Sequence, residues 1–366
     1  MTKENSLENA RRTINEVDAR MRELFVQRMR AVELVAEYKK ERGMAIFDPA
    51  REAEIIKHGS ELLEDDTLRE YYVSFLQNNM NVSKAYQARL IEGMRVAYSG
   101  TEGAFAHIAA EKLYPTANKI SYGDFAAAYK AVESGECDVC VLPVENSYNG
   151  EVGQVIDLMF SGPLYVNGMF DLPVTQDLLG VKGATVSDIK TLISHPQALG
   201  QCAEYIKSHG FETKEHKNTA LAAKEVASLG DKSIGAIASA EAAAIFGLDV
   251  IDHDINASKS NTTRFAVFSR VPSKHLPEGG SAYSVLFFTV KNEAGALARA
   301  VEIIGSHGFN LRCLRSRPMK ELLWQYYFYV EIEGDVQSER GIAMIEALEK
   351  YCDRLKFVGT YVKMSE

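Results

Sequence analysis

The stretch RVAYSGTEGAFAH, residues 95–107, decides how the chain is built. A short apolar run stops at Gly100, a second glycine follows at Gly103, and a run rich in alanine begins. That order is the strand, turn and helix that open an α/β unit. The residues before it have another texture. Of 26 glycines only Gly43 and Gly59 fall within residues 1–90, and of 9 prolines only Pro49. So few breakers predict a nearly all-helical segment. One helix runs from Leu7 to about Arg42, with Ile14, Val17, Met21, Leu24, Val32 and Val35 at spacings of three and four. Asp48 and Pro49 supply the cap and first turn of a second over 49–63, and Asp66 or Thr67 starts a third that reaches about Gly93. About 35 helical residues make a rod of roughly 50 Å. This is longer than a 90-residue globule is wide, so the apolar seam calls for a second copy of the chain and an intertwined dimer.

Beyond residue 107 the α/β texture continues. RVAYSG, ISYG, CDVCVLPVEN, TLISH, SIGAIAS and TRFAVFSR read as buried strands, and 104–113, 124–134, 198–209, 219–229 and 239–246 as helices. The cluster SRVPSKHLPEGGSAYS at 269–284 marks a linker. After it come a strand (282–290), a helix (295–307), two strands (309–317 and 323–333), a helix (338–352) and a strand (356–363), the βαββαβ order of a ferredoxin-like α+β sandwich. The expected domains are 1–92, 94–271 and 281–364.

Composition narrows the function. The 366 residues carry 41 Lys plus Arg against 50 Asp plus Glu, a net charge of −9, which leaves no basic surplus for gripping nucleic acid. No stretch approaches the ~20 apolar residues of a membrane span, and MTKENSLENARR has no apolar core resembling a signal peptide, so a cytoplasmic protein is expected. Five scattered cysteines fit a reducing compartment. Cys137 and Cys140 form C-x-x-C, but inside an apolar run with no second pair at zinc spacing, so no metal site is expected.

Two constellations can carry chemistry. In the helical segment Arg28 and Lys39 are 11 residues apart and point within about 20° of each other, whereas Arg11 is turned by about 100° and faces a neighbouring chain. Asp48, Arg51 and Glu52 fall in one turn, and Ser83 and Gln87 stand at i, i+4. Together they could hold a small dicarboxylate, with Lys39 and Gln87 as donors to an oxygen gaining charge. The alternative is a helix seam whose cations pair with neighbouring glutamates. In the α/β segment, Gly100 and Gly103 offer backbone amides. LPVENSYNG (142–150) and SHPQALGQC (194–202) place Glu145, Asn146, Ser194, His195 and Gln201 at strand ends, where open α/β sheets bind ligands. NTTRFAVF adds Thr263 and Arg264, and only Arg95, Arg264 and Arg270 are arginines between Gly93 and Val271.

These residues carry a resemblance. Arg11, Arg28, Lys39, Asp48, Arg51, Glu52, Ser83 and Gln87 resemble the site of the chorismate mutase domain in the bacterial bifunctional chorismate mutase/prephenate dehydratase family. The strand end at Glu145-Asn146, the SHPQ segment and the Thr-Arg-Phe triplet resemble its dehydratase domain. The resemblance implies a cofactor-free rearrangement of chorismate to prephenate. Arg11 of a partner and Arg28 would hold the carboxylates, Glu52 and the backbone near Asp48 the ring hydroxyl, and Lys39 and Gln87 the ether oxygen. It also implies loss of water and carbon dioxide from prephenate in a two-lobed, periplasmic-binding-protein-like cleft. There Thr263 would be the proton donor, Glu145, Asn146, Ser194 and Gln201 would position substrate, and Arg264 would sit on a carboxylate.

The last segment resembles an ACT amino-acid sensor through Gly295-Ala296-Leu297 and Arg315-Ser316-Arg317-Pro318, which implies phenylalanine as allosteric inhibitor. Arg315 stands where that family usually has glutamate. Phenylalanine is therefore expected to inhibit more weakly than in relatives with the glutamate and to bind more tightly in Arg315→Glu; if that acid only pairs at the interface, a compensating acid such as Glu293 restores the balance instead. A solute-binding or amino-acid-sensing protein, and an enzyme acting on arogenate, are the alternatives.

Overall fold

The computed structural model describes residues 3–364 apart from 259, 275–280 and 320–324, with side chains from Ser6 onward. The chain divides into two compact units between Met94 and Arg95. The first consists of α1 (Lys3–Arg42), α2 (Pro49–Glu61) and α3 (Asp66–Glu92). Gly43 ends α1 at φ +60°, a conformation that glycine alone adopts without strain. Asp48 then caps α2 by accepting from Arg51 N at 3.0 Å, and Asp65 caps α3. Arg28 bonds Ser83, and Tyr86 Oη donates to Glu33 at 2.6 Å. The two pairs are separated by 55 and 53 residues, so α1 and α3 run parallel. Little is buried here: Val32 and Ala36 on α1, nothing on α2, and Met80, Ser83, Gln87 and Ala88 on α3. Leu7, Ile14, Val17, Met21 and Leu24 are all exposed, a long apolar stripe without a covering partner in its own unit.

The second unit begins with β1 (Arg95–Ser99), α4 (Phe105–Leu113), β2 (Asn118–Tyr122), α5 (Phe125–Glu133), β3 (Val139–Asn146), β4 (Gly150–Glu151), α6 (Gly153–Ser161) and β5 (Tyr165–Pro173). A second lobe follows: β6 (Asp177–Gly180), β7 (Thr191–Ser194), α7 (Pro196–Gln201), α8 (Ala203–His209), β8 (Glu212–Glu215), α9 (Thr219–Leu229), β9 (Ile234–Ala238), α10 (Ala240–Phe246) and β10 (Asp249–Asp252). Its strands form a sheet of order β10-β6-β9-β7-β8. The chain then returns to the first lobe through β11 (Thr262–Ser269), which lies between β3 and β5. The single helix expected over 198–209 is two, because Cys202 between them leaves helical geometry at φ −106°, ψ 15°. Part of the expected linker, 275–280, lies outside the described residues, as do the first two residues of the strand expected from 323.

The last elements are β12 (Ala282–Thr289), α11 (Ala296–Ser306), β13 (Asn310–Pro318), β14 (Tyr326–Glu333), α12 (Glu339–Tyr351) and β15 (Arg354–Met364). Their strand order β13-β14-β12-β15 is that of a split βαβ sandwich. The sandwich is fused to the first lobe. Lys363 and Met364 of β15 pair in parallel with Met169 and Phe170 of β5, which joins both into one ten-stranded sheet. Two glycines permit the seam: a Cβ on Gly359 would collide with the Val166 carbonyl, and one on Gly168 with the Met364 sulfur. Alternate residues of β12 then serve two cores. Val285 and Phe287 pack with Val144, Phe160 and Tyr361, while Leu286 and Phe288 pack with Ala300, Ile304 and Met344 under the sandwich helices. Lys356 adds a polar tie, donating to the carbonyls of Met159 at 2.6 Å, Phe160 at 3.0 Å and Gly162 at the end of α6.

Candidate functional site

Each unit holds one constellation. In the helical unit the buried residues Val32 and Ala36 follow Arg28 at i+4 and i+8 on the same face of α1. Arg28 is half-buried, reaches Ser83 Oγ, and has its pKa lowered by that burial. One turn further along the parallel α3, Gln87 is 7% exposed and its Oε1 has no hydrogen-bond partner among the described residues. Lys39 Nζ donates to Ile46 O at 2.5 Å in the α1–α2 loop, and Glu52 pairs with Lys84 of α3 at 2.8 Å. Arg28 and Ser83 thus meet between α1 and α3, Gln87 lies one turn beyond Ser83, and Lys39 and Glu52 bond the α1–α2 loop and α3 respectively. Arg11 is exposed, and Arg51 is engaged in an exposed pair with Glu54 at 2.5 Å, so neither is drawn to Arg28 and Ser83 within one chain.

In the second unit a cavity of about 390 Å³ lies between the lobes, lined among others by Asn146, Glu151, Gln176, His195, Gln201 and Thr263. Asn146 organises it. Its Oδ1 accepts from Tyr148 N and Asn149 N, both at 3.0 Å, which closes the turn after β3. Its Nδ2 donates to Asn261 Oδ1 at 2.9 Å and to Thr263 Oγ1 at 3.0 Å. Thr263 Oγ1 accepts from Asn146, which keeps its own hydrogen available for donation to an acceptor in the cavity. Across the cleft Gln201 Oε1 accepts from Asn261 Nδ2 at 3.3 Å, and His195 Nδ1 accepts from Gln197 N at 3.2 Å, which leaves Nε2 as the protonated ring nitrogen. The wall also carries Ala104 and Phe105 at the start of α4, Asn218 and Thr219 at the start of α9, and the cation Lys217. Ala104 caps α4 with no side-chain bond, so the amides of its first turn are open to an anion. Gln176 Oε1 is buried without a partner on the same wall.

Two segments of the chain match known families. Residues 96–273 match the prephenate dehydratase model and 10–88 that of chorismate mutase type II. Arogenate dehydratase/prephenate dehydratase 1, chloroplastic, of Arabidopsis thaliana is 32% identical over 283 residues, 73% of this chain and 72% of its own. The chain belongs to the prephenate dehydratase family. A bifunctional chorismate mutase/prephenate dehydratase of Aquifex aeolicus is 29% identical over 98% of both chains. Prephenate dehydratase of Arthrobacter aurescens, solved in complex with L-Phe, is 26% identical with a TM-score of 0.67 and covers 74% of this chain and 90% of its own. Mutase and dehydratase segments therefore lie in one chain.

Within this family member the geometry corrects several sequence expectations. Thr263 pairs with Asn146 across β11 and β3, and Arg264 with Glu145. Neighbours on a strand point to opposite faces. With Thr263 and Asn146 in the cleft, Arg264 and Glu145 face the sandwich instead, where both line a second cavity of about 240 Å³. Arg264 Nε donates to Asp171 Oδ1 at 2.7 Å, and that bond foremost raises its pKa, so it is no free grip for a substrate carboxylate. Lys217, which sequence reasoning passed over, is the cation on the cleft wall. Gln176, Asn218 and Asn261 were missed as well, and of these only Asn218-Thr219, a cap ahead of a helix, had a readable signal. The amides of Gly100 and Gly103 are engaged by Tyr122 O and His107 Nδ1, which moves the open amides one turn on.

Ser194 does not touch the cavity. It is fully buried and donates to Ile237 O at 2.6 Å. Ser194→Ala should cost about 1–3 kcal/mol of stability by orphaning that carbonyl and leave the KM for prephenate unchanged. A raised KM with an unchanged melting temperature would return Ser194 to the site.

The two segments expected to bind an effector are also apart. Gly295, at φ +84°, precedes Ala296 and α11, and Leu297 lines a cavity of about 560 Å³ with Glu293 and Phe328. Arg315 and Arg317 are elsewhere, on the β13 face toward the first lobe: Arg315 bonds Glu145, and Arg317 bonds Glu151 and Asp157. Ser316 and Pro318 lie on the same strand, with Pro318 in a groove beside Phe160. Arg315 is balanced by Glu145 and not by Glu293, which removes the reason to expect Arg315→Glu to tighten an effector.

Proposed function

We propose that the chain rearranges chorismate to prephenate in the helical unit, then dehydrates and decarboxylates prephenate to phenylpyruvate in the cleft, both without a cofactor. The observation that carries the reading is the Asn146–Thr263 pair, a hydroxyl whose oxygen is held by Asn146 in a cavity with open helix amides and Lys217 on its wall. A prephenate carboxylate suits those amides and that cation. Thr263 hydrogen-bonds the departing ring hydroxyl while carbon dioxide leaves and the ring becomes aromatic, a bond that strengthens as charge develops. In the helical unit a pericyclic step gives acids and nucleophiles nothing to do. Acceleration comes from holding a compact conformer and from Lys39 and Gln87 meeting the ether oxygen as it gains charge. Incubating purified protein with chorismate, prephenate and arogenate in turn tests the reading. Prephenate from the first and phenylpyruvate from the second are expected. Turnover of arogenate alone would replace the second substrate.

The sandwich is read as an ACT domain with phenylalanine as its ligand, supported by its strand order and by the cavity beside Leu297. Residues 3–92 are read as half of an intertwined dimer, supported by the uncovered stripe on α1. If Arg11 completes the partner's mutase site, Arg11→Ala and Arg28→Ala proteins, each inactive as mutase, regain part of the activity when co-expressed. Heterodimers with no activity would refute the shared site.

A further inference from the structure

Glu145 and Glu151 are directly opposite each other in the short β3–β4 ladder. Two carboxylates in that register repel, and the ladder has only one further pair, Asn146 with Gly150, to hold it closed. The cations that offset the repulsion come from another part of the fold. Arg315 of the sandwich bonds Glu145 Oε1 and comes within 3.9 Å of Glu151 Oε2, so one guanidinium spans both carboxylates. Arg317, two residues on, bonds Glu151 and, at 3.1 Å, Asp157 of α6. Arg264 is 3.9 Å from Glu145, but its closer partner is Asp171. The turn that this ladder closes is the one that presents Asn146, and Asn146 in turn holds Thr263 Oγ1.

We propose that Arg315 is a positioning residue of the dehydratase: by neutralising the facing carboxylates of Glu145 and Glu151 it keeps the β3–β4 turn closed and thereby aims Asn146 and Thr263. The inference rests on the dehydratase reading for its effect on turnover. Arg315 does not line the cleft, so substrate affinity has no direct stake in it. A displaced reacting group loses rate, so Arg315→Met lowers kcat about tenfold to a hundredfold with KM little changed. The double variant Arg315→Met/Glu145→Gln removes the repulsion along with the cation and recovers most of the lost kcat. An ion pair acting only as glue predicts no such recovery.

The test uses the full chain with prephenate, alongside hydrogen exchange at the Tyr148 and Asn149 amides, which bond Asn146 Oδ1. Exchange speeds up in Arg315→Met and slows again in the double variant, and this readout decides the point even if wild-type protein does not turn over prephenate. Unchanged exchange and kcat in Arg315→Met would overturn the proposal. So would a double variant that melts like wild type yet recovers neither. If Arg315→Met fails to fold, a folded and active double variant supports the proposal, and a double variant that also fails to fold overturns it.

Discussion

Thr263→Ala lowers dehydratase turnover by about 10²–10³-fold, the scale for removing one donor aimed at developing negative charge, while mutase turnover by the same preparation stays at the wild-type rate. The hydroxyl cannot serve as a titrating acid, since it has no pKa near neutrality. Its contribution is a hydrogen bond that tightens as the C–O bond of the substrate breaks. Asn146 Nδ2 already donates to Oγ1 at 3.0 Å, so the oxygen is held in place and its hydrogen is available to a substrate oxygen. Thr263→Ser keeps that geometry and should retain most of the activity. Alanine removes the donor and leaves Asn146 with its bond to Asn261, which keeps the turn in place. Phenylpyruvate formation from supplied prephenate reads the effect as kcat. Turnover of the alanine variant within a few-fold of wild type would remove Thr263 from the mechanism.

Why Thr263 was legible and its neighbour was not follows from the strand. NTTRF marks a hydroxyl and a cation side by side, and their adjacency in sequence invites one role for both. In a strand adjacency separates them: Thr263 lines the cleft and Arg264 turns to Asp171 on the opposite face. The same alternation divides Asn146 from Glu145, so two of the four candidates on β3 and β11 belong to the sandwich side. Fusion of the sandwich had a signal of its own. Val285, Leu286, Phe287 and Phe288 are continuously apolar, the pattern of a strand covered on both faces, and all four are fully buried. Reading 282–290 as one strand of an α+β sandwich accounts for the helix-covered face alone. β5 was hidden for the converse reason, since Gly168 and Asn167 interrupt its apolar run and the glycine is needed for the close pass of Met364. The helical unit was the most legible part, because scarcity of glycine and proline is a property of composition that tertiary contacts do not disguise.

The helical unit supplies the converse experiment. Arg28→Ala and Lys39→Ala each lower mutase turnover by about 10²–10³-fold, with dehydratase turnover of supplied prephenate unchanged. The two residues contribute differently. Arg28 is anchored by Ser83 on the face of α1 that buries Val32 and Ala36, and a guanidinium can hold a carboxylate through two bonds. Its loss therefore raises KM as well as lowering kcat, since the substrate carboxylate is bound before and during the rearrangement. Lys39 is held by Ile46 O at 2.5 Å, and its role is toward an oxygen that gains charge only as the ether bond breaks. Its loss should appear mainly in kcat. Gln87 shares that role, and Gln87→Ala should resemble Lys39→Ala in kind with a smaller loss, because a neutral donor stabilises charge less than an ammonium does. The comparison is made by following chorismate disappearance and, separately, phenylpyruvate formation from prephenate. A parallel fall of both activities in either variant would mean that the substitution unfolds the chain. Equal and purely KM-type losses for Arg28 and Lys39 would mean that Lys39 binds the substrate without meeting the charge that develops on it.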